Sequence, residues 1–131
     1  MRLAPHEQHL PGPRPRPDST DLQGLTLRQV AKWAEGQARW LASYLDLDHE
    51  DPRVFLLAQA AKFGEEAGEL HAEVLGHAGI HRRDKAGQYS QDSLGAEMAD
   101  VIVCVALLAA LTGTDLNAAV TGKIAQLNAR R

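Results

Sequence analysis

Residues 97–111 read Glu-Met-Ala-Asp-Val-Ile-Val-Cys-Val-Ala-Leu-Leu-Ala-Ala-Leu. After Asp100 the segment is apolar on every side of a helix, so it must be surrounded by protein. The apolar run covers residues 101–111, well short of the roughly 18 residues that a membrane span needs. Thr112 and Gly113 end it in the way a helix C-terminus ends. At its head stand Glu97 and Asp100, spaced i, i+3 and therefore on one helical face. Carboxylates placed against a buried helix are costly and repel one another unless cations accompany them. The segment therefore fixes two expectations, a helical fold with this element at its centre and an acidic site at one end of it.

Reading outward gives three more helices and no strand-like alternation. Thr26 with Gln29 three residues on is a capping box for a helix reaching about Leu45. Asp51 followed by Pro52 opens a second, expected to run to about Leu75 with Gly76 as its stop. Asp92 or Ser93 starts the third. Thr114 or Asp115 caps a fourth that runs toward the C-terminus. The segment 76–91, with Gly76, Gly79, Gly87 and a basic patch at 81–85, reads as a long loop. The expected fold is all-α, a four-helix bundle. Five of the six prolines fall within residues 1–20, so residues 1–22 read as a disordered proline-rich tail and residues 23–131 as the folded domain.

At 131 residues the chain is one domain, large enough to build a core without staples. Its 14 Lys+Arg against 17 Asp+Glu leave a formal net charge of −3, which argues against a dedicated nucleic-acid binder. A single cysteine, Cys104, excludes an internal disulfide, and no apolar leader opens the sequence. A cytoplasmic protein without a membrane partner is expected.

The second helix carries its own acid pair, Glu66 and Glu69, again i, i+3. Leu56, Ala60, Phe63, Ala67, Leu70 and Val74 form its expected apolar stripe, with Glu66 flanking that stripe and Glu69 further round. Taken alone this pair is a solvated acidic face. Opposite Glu97 and Asp100 it becomes half of a four-carboxylate cluster, a donor set suited to hard cations such as magnesium or manganese. On the fourth helix Leu116, Val120, Ile124 and Leu127 define an inward stripe, and Lys123 falls within it, with Arg130 seven residues later. An inward lysine either pairs with an acid or faces a phosphate. Trp33 and Trp40 share a face of the first helix, as core anchors or as a platform for a base. His71 reads as a packing residue, His77 and His81 as loop histidines, and Cys104 as an inert buried thiol.

The sequence Lys62-Phe-Gly-Glu65-Glu66-Ala-Gly-Glu69-Leu70, then Glu97-Met-Ala-Asp100-Val101, then Gly113-Thr-Asp115-Leu116, then Lys123 resembles the MazG-like all-α nucleoside triphosphate pyrophosphohydrolases. Their pattern is EExxE, a variable spacer and ExxD. Here 27 residues lie between Glu69 and Glu97. The resemblance covers residues 26–131 and implies a four-helix fold that forms dimers or tetramers. It also implies magnesium-dependent cleavage of a nucleoside triphosphate between its α and β phosphates, giving a nucleoside monophosphate and pyrophosphate. By the same resemblance Glu66, Glu69, Glu97 and Asp100 match metal ligands. Glu65 matches the additional glutamate, which binds metal or orients the attacking water. Lys62, Lys123, Arg130 and Trp33 become the candidate substrate contacts. Where the family often has Asn four residues after its lysine, this chain has Leu127, with Asn128 displaced by one.

Two rivals come from other classes. A non-catalytic helical dimerisation or regulatory module would keep the fold and bind nucleotide or a protein without turnover; it has no need of four acids. A di-iron carboxylate bundle requires Glu-x-x-His on two helices, and the residue three before His71 is Gly68.

Overall fold

The computed structural model describes residues 23–80 and 89–131; the proline-rich segment 1–22 and the basic patch at 81–85 lie outside the described residues. Among the described residues there are four helices and no strand: α1 (Leu27–Tyr44), α2 (Pro52–His77), α3 (Gln91–Thr112) and α4 (Leu116–Asn128). Each start has a side-chain cap, which satisfies backbone donors that the helix cannot. The Thr26–Gln29 capping box is formed, with Gln29 N–H donating to Thr26 Oγ1 at 3.2 Å and Thr26 N–H to Gln29 Oε1 at 2.7 Å. Asp51 accepts from Arg53 N–H at 3.0 Å, and Asp115 accepts from Ala118 N–H at 2.9 Å. α3 begins earlier than its Asp92 or Ser93 expectation. Ser90 is the cap and Ser93 reaches back to it, a serine version of the box in which both orphan donors are satisfied.

Gly76 is not the stop of α2. The helix continues through His77, and the left-handed residue is Gly79, at φ 81°. Ile80 N–H reaches back to Leu75 O at 2.8 Å and Gly79 N–H to Gly76 O at 3.0 Å, the paired bonds of a Schellman ending. Gly76 has a different task. It is buried, and a Cβ there would overlap the ring of Tyr89. His77 therefore lies on the helix rather than in the loop, and it is exposed.

α2 and α3 pack side by side and antiparallel, because contacts that descend α2 ascend α3. Gly76 meets Tyr89, Glu73 accepts from Ser93 Oγ–H at 2.8 Å, Glu66 meets Glu97 and Asp100, and Gln59 meets Cys104. This pairing takes in only part of the stripe read in its sequence, leaving Leu56, Phe63, Ala67 and Leu70 half-buried. Phe55, Gln59, Glu66 and Gly76 are buried, while Ala60, Val74 and His71 are exposed. α1 covers the C-terminal half of α3 through Ala34, Ala38, Ala106 and Leu107, with Val30, Leu41 and Val103 around them. Alanines at i, i+4 let the two helices approach closely, at the expense of apolar area. α4 packs on α1 without burying any of its own residues.

The four helices do not enclose α3 within one chain, as expected of so few short helices around one that is apolar on every side. Met98 and Ile102 are 44% and 52% exposed. By length and composition the whole of α3 is long and apolar enough to cross a membrane, a test that core helices also pass. Here Leu94, Cys104, Ala106, Leu107 and Ala109 are buried against the neighbouring helices.

Gly76→Ala should lower stability by about 1–3 kcal/mol, the usual size of an overpacked contact. Gly64→Ala, at a helical position with nothing within 4 Å, should raise it by about 0.5–1 kcal/mol. Paired thermal melts check both signs, and equal responses would mean that the Tyr89 contact does not constrain residue 76.

Candidate metal centre

The antiparallel register brings the acid pairs of α2 and α3 face to face. Carboxylate oxygens of Glu66, Glu97 and Asp100 all lie within 4.8 Å of one another. The three are graded in exposure: Glu66 is 8% exposed, Glu97 is half-buried and Asp100 is open to solvent. Such a group could hold a metal ion. Its donors are hard oxygens, and Oε2 of Glu66 and Oε2 of Glu97 are buried without any hydrogen-bond partner. A buried acceptor left unsatisfied typically costs about 1–3 kcal/mol, so the site has unmet demand for positive charge.

Lys62 meets part of that demand. Its Nζ sits 2.8 Å from Glu66 Oε1, one turn along α2, and 3.5 Å from Glu65 Oε2. The hydrogen bond to Glu66 pushes the lysine pKa up, with the Glu65 and Glu66 charges adding to it. This is the one cation that ion-pairs with the group among the described residues. Glu97 is left without such a partner. Burial pushes its carboxyl above the ordinary glutamate value, and the charges of Glu69, Asp100, Glu66 and Glu73 push it further.

Glu69 stands outside the tight triplet, exposed on α2, yet near enough to act on Glu97. Glu73 belongs to the same acidic edge and was not singled out in the sequence. It follows Glu69 by four and Glu66 by seven, a spacing that places all three along one side of α2. Gln59 was also passed over, because a lone glutamine carries no motif. It lies seven residues before Glu66 on the same edge, buried opposite Cys104. Burial raises the Cys104 thiol above its ordinary value.

The remaining candidates lie elsewhere in the chain. Lys123 does not point inward: it is exposed on α4 and its Nζ donates to Gln126 Oε1 at 3.0 Å. The stripe that suggested otherwise is half-buried at Leu116 and Val120 but exposed at Ile124 and Leu127. Arg130 is exposed just beyond the end of α4. Trp33 is 38% exposed on α1, whereas Trp40 is half-buried and stacked on Tyr44 with ring centroids 4.9 Å apart. A separate concavity of about 450 Å³ opens between α1 and the α3–α4 junction, lined by Arg28, Lys32 and Thr114 among others and by none of the clustered acids.

No protein-family model, curated protein or solved structure matches this chain.

Glu97→Gln removes one of the crowded charges while keeping the shape. In the absence of divalent ions this variant should melt higher than wild type at neutral pH. The folded wild type holds the Glu97 proton more tightly than the unfolded chain does, so its stability rises as pH falls through that raised pKa. The gap between the two proteins should close toward acid pH. Magnesium or manganese should stabilise the wild type and leave Glu97→Gln nearly unmoved. Equal stabilisation of both by either ion would remove Glu97 from the ligand set.

Proposed function

We propose that this chain is a divalent-metal-dependent nucleoside triphosphate pyrophosphohydrolase of the MazG-like kind, acting as a dimer or tetramer in the cytoplasm on the nucleotide pool. The observation that supports it best is the convergence of Glu66, Glu97 and Asp100 from two helices, with unpartnered buried oxygens on two of them. On this reading those three, with Glu69 beside them, would hold magnesium. A divalent ion there supplies what a carboxylate cluster lacks: a positive field for a polyanion and the acidification of a nearby water.

The chain's own residues then divide the work. Glu65, exposed beside the cluster, takes a proton from the attacking water. Lys62, ion-paired with Glu66, would turn its ammonium to a phosphate oxygen. Little covalent chemistry falls to the protein, since positioning and charge stabilisation carry phosphoryl transfer. Lys123 and Arg130 reach substrate only from a partner copy or after α4 shifts, because both are exposed and α4 packs chiefly on α1. The non-catalytic alternative is favoured by one observation, the Lys62 ammonium already seated on Glu66; binding without turnover would identify it.

The assembly has its own support. Gly95, Met98, Ala99 and Ile102 form an exposed stripe at i, i+3, i+4, i+7 on the N-terminal half of α3, the half that α1 leaves bare. Glu97 and Asp100 flank that stripe. A second copy seated there would bury it and wall the acids off from bulk water.

Purified protein with magnesium should release pyrophosphate and a nucleoside monophosphate from at least one standard or damaged deoxynucleoside triphosphate. Asp100→Ala and Glu69→Ala should each lower the rate about 100-fold or more, in the range seen when metal sites are disturbed. Equal release by wild type and both variants would remove the assignment. In light scattering the wild type should run as a dimer or larger, and Ile102→Glu should shift it toward monomer. A wild-type monomer would overturn the assembly.

A further inference from the structure

The two oxygens of Glu66 have unlike surroundings. Oε1 accepts from Lys62 Nζ at 2.8 Å, and the same ammonium lies 3.5 Å from Glu65 Oε2. Oε2 is buried without a partner, as is Oε2 of Glu97. Glu66 is only 8% exposed, the deepest of the three clustered acids. One carboxylate thus holds an ammonium on one oxygen and has no cation on the other. It is also the carboxylate that the metal reading depends on most, since its oxygens face those of Glu97 and Asp100 within 4.8 Å.

An ammonium and a divalent ion on one carboxylate repel each other at short range. The contest between them is unequal. Lys62 belongs to an i, i+4 pair on a helix surface and its side chain is half-exposed, a pairing of little net worth. A divalent ion would draw on Glu66, Glu97 and Asp100 together, three hard carboxylates at once. The lysine also has somewhere to go. Its flexible stem lets the ammonium move into water, whereas Glu66 is fixed in the seam. We propose that Lys62 is a displaceable counter-ion, which neutralises Glu66 while the cluster holds no metal and yields it to a divalent ion bound among Glu66, Glu97 and Asp100. This rests on the metal reading above and adds to it a form of regulation. Without metal, Lys62 is tied to Glu66 and the carboxylates repel a polyanion. Once displaced, the same ammonium is available to an anionic oxygen. Anion binding is thereby coupled to cation binding, and by linkage each strengthens the other. The bond also supports the metal-free fold, because a buried carboxylate with no partner is costly.

The test uses the full chain and the metal alone. Lys62→Met keeps the length and helix propensity of the side chain and removes its charge; Lys62→Gln is the second variant. Without divalent ions both variants should melt below wild type. At saturating manganese the melting temperatures should converge, because the wild type then lacks the same bond as the variants. Manganese affinity, read from the paramagnetic resonance of the free ion, should be about tenfold tighter in the variants. In nuclear magnetic resonance of the wild type, magnesium should move the Lys62 ammonium signal to that of a solvated lysine, which repulsion at a distance would not do. An ammonium signal that stays on Glu66 with metal bound, a stability gap that persists at saturating manganese, or equal affinities would each overturn the displacement. So would failure of both variants to fold with manganese present, since the bond would then be a fixed part of the fold. If wild type binds neither ion, with the carboxyl signals of Glu66, Glu97 and Asp100 unmoved, the metal reading itself fails and this inference falls with it.

Discussion

Everything distinctive about this molecule depends on how α2 is turned about its own axis. The helix is apolar in several directions, so hydrophobic burial alone does not choose its rotation. Specific contacts choose it. The Tyr89 ring takes the space beside Gly76 where a side chain would be, and Ser93 hydrogen-bonds Glu73 three residues earlier. With α2 fixed at that end, the same edge must carry Glu66 and Gln59 into the seam against α3. A glycine, a tyrosine and a serine at one end of the hairpin thus decide that carboxylates converge further along it.

That convergence leaves α3 with two unlike halves. The C-terminal half is an ordinary packed helix, covered by α1 through alanines and Leu107. The N-terminal half carries Glu97 and Asp100 on one side and the bare Gly95–Met98–Ala99–Ile102 stripe on another. The buried alanine and leucine cluster lies where no chemistry is expected, and the acid end is held by the packing of α2 on α3 around Leu94 and by the hairpin contacts. No large side chain is fully buried among the described residues. A chain so built gains more from covering its open faces than from improving its interior.

The boundaries of the elements were legible because caps are local. Thr26, Asp51 and Asp115 act where their sequence neighbours say they should. Two endpoints were misjudged for reasons that are not local. Gly76 reads as a stop until Tyr89, beyond the intervening loop, is seen to need its missing side chain. Ser90 was passed over because serine rarely takes the reciprocal place in a capping box. The acid pairs were legible as pairs, since i, i+3 spacing is read directly from the chain. Which acids come closest was not legible, because that depends on interhelical register. Glu69 accordingly stands outside the triplet, and Glu73 joins the acidic edge without a motif to announce it. Lys123 shows the same limit in reverse. Its place on an apolar stripe carried meaning only if the stripe were covered along its length, and it is half-buried at Leu116 and Val120 but exposed at Ile124 and Leu127, the turns that flank Lys123.

Polar groups in the α2–α3 seam also follow one logic. Folding alone would favour apolar residues at positions 66 and 97, where the present side chains leave two acceptors unmatched. Lys62 offsets part of the imbalance with a bond that a competing cation could displace. A fold designed only for stability would not leave such mismatches side by side on one seam. The two unmatched oxygens are complementary to a cation.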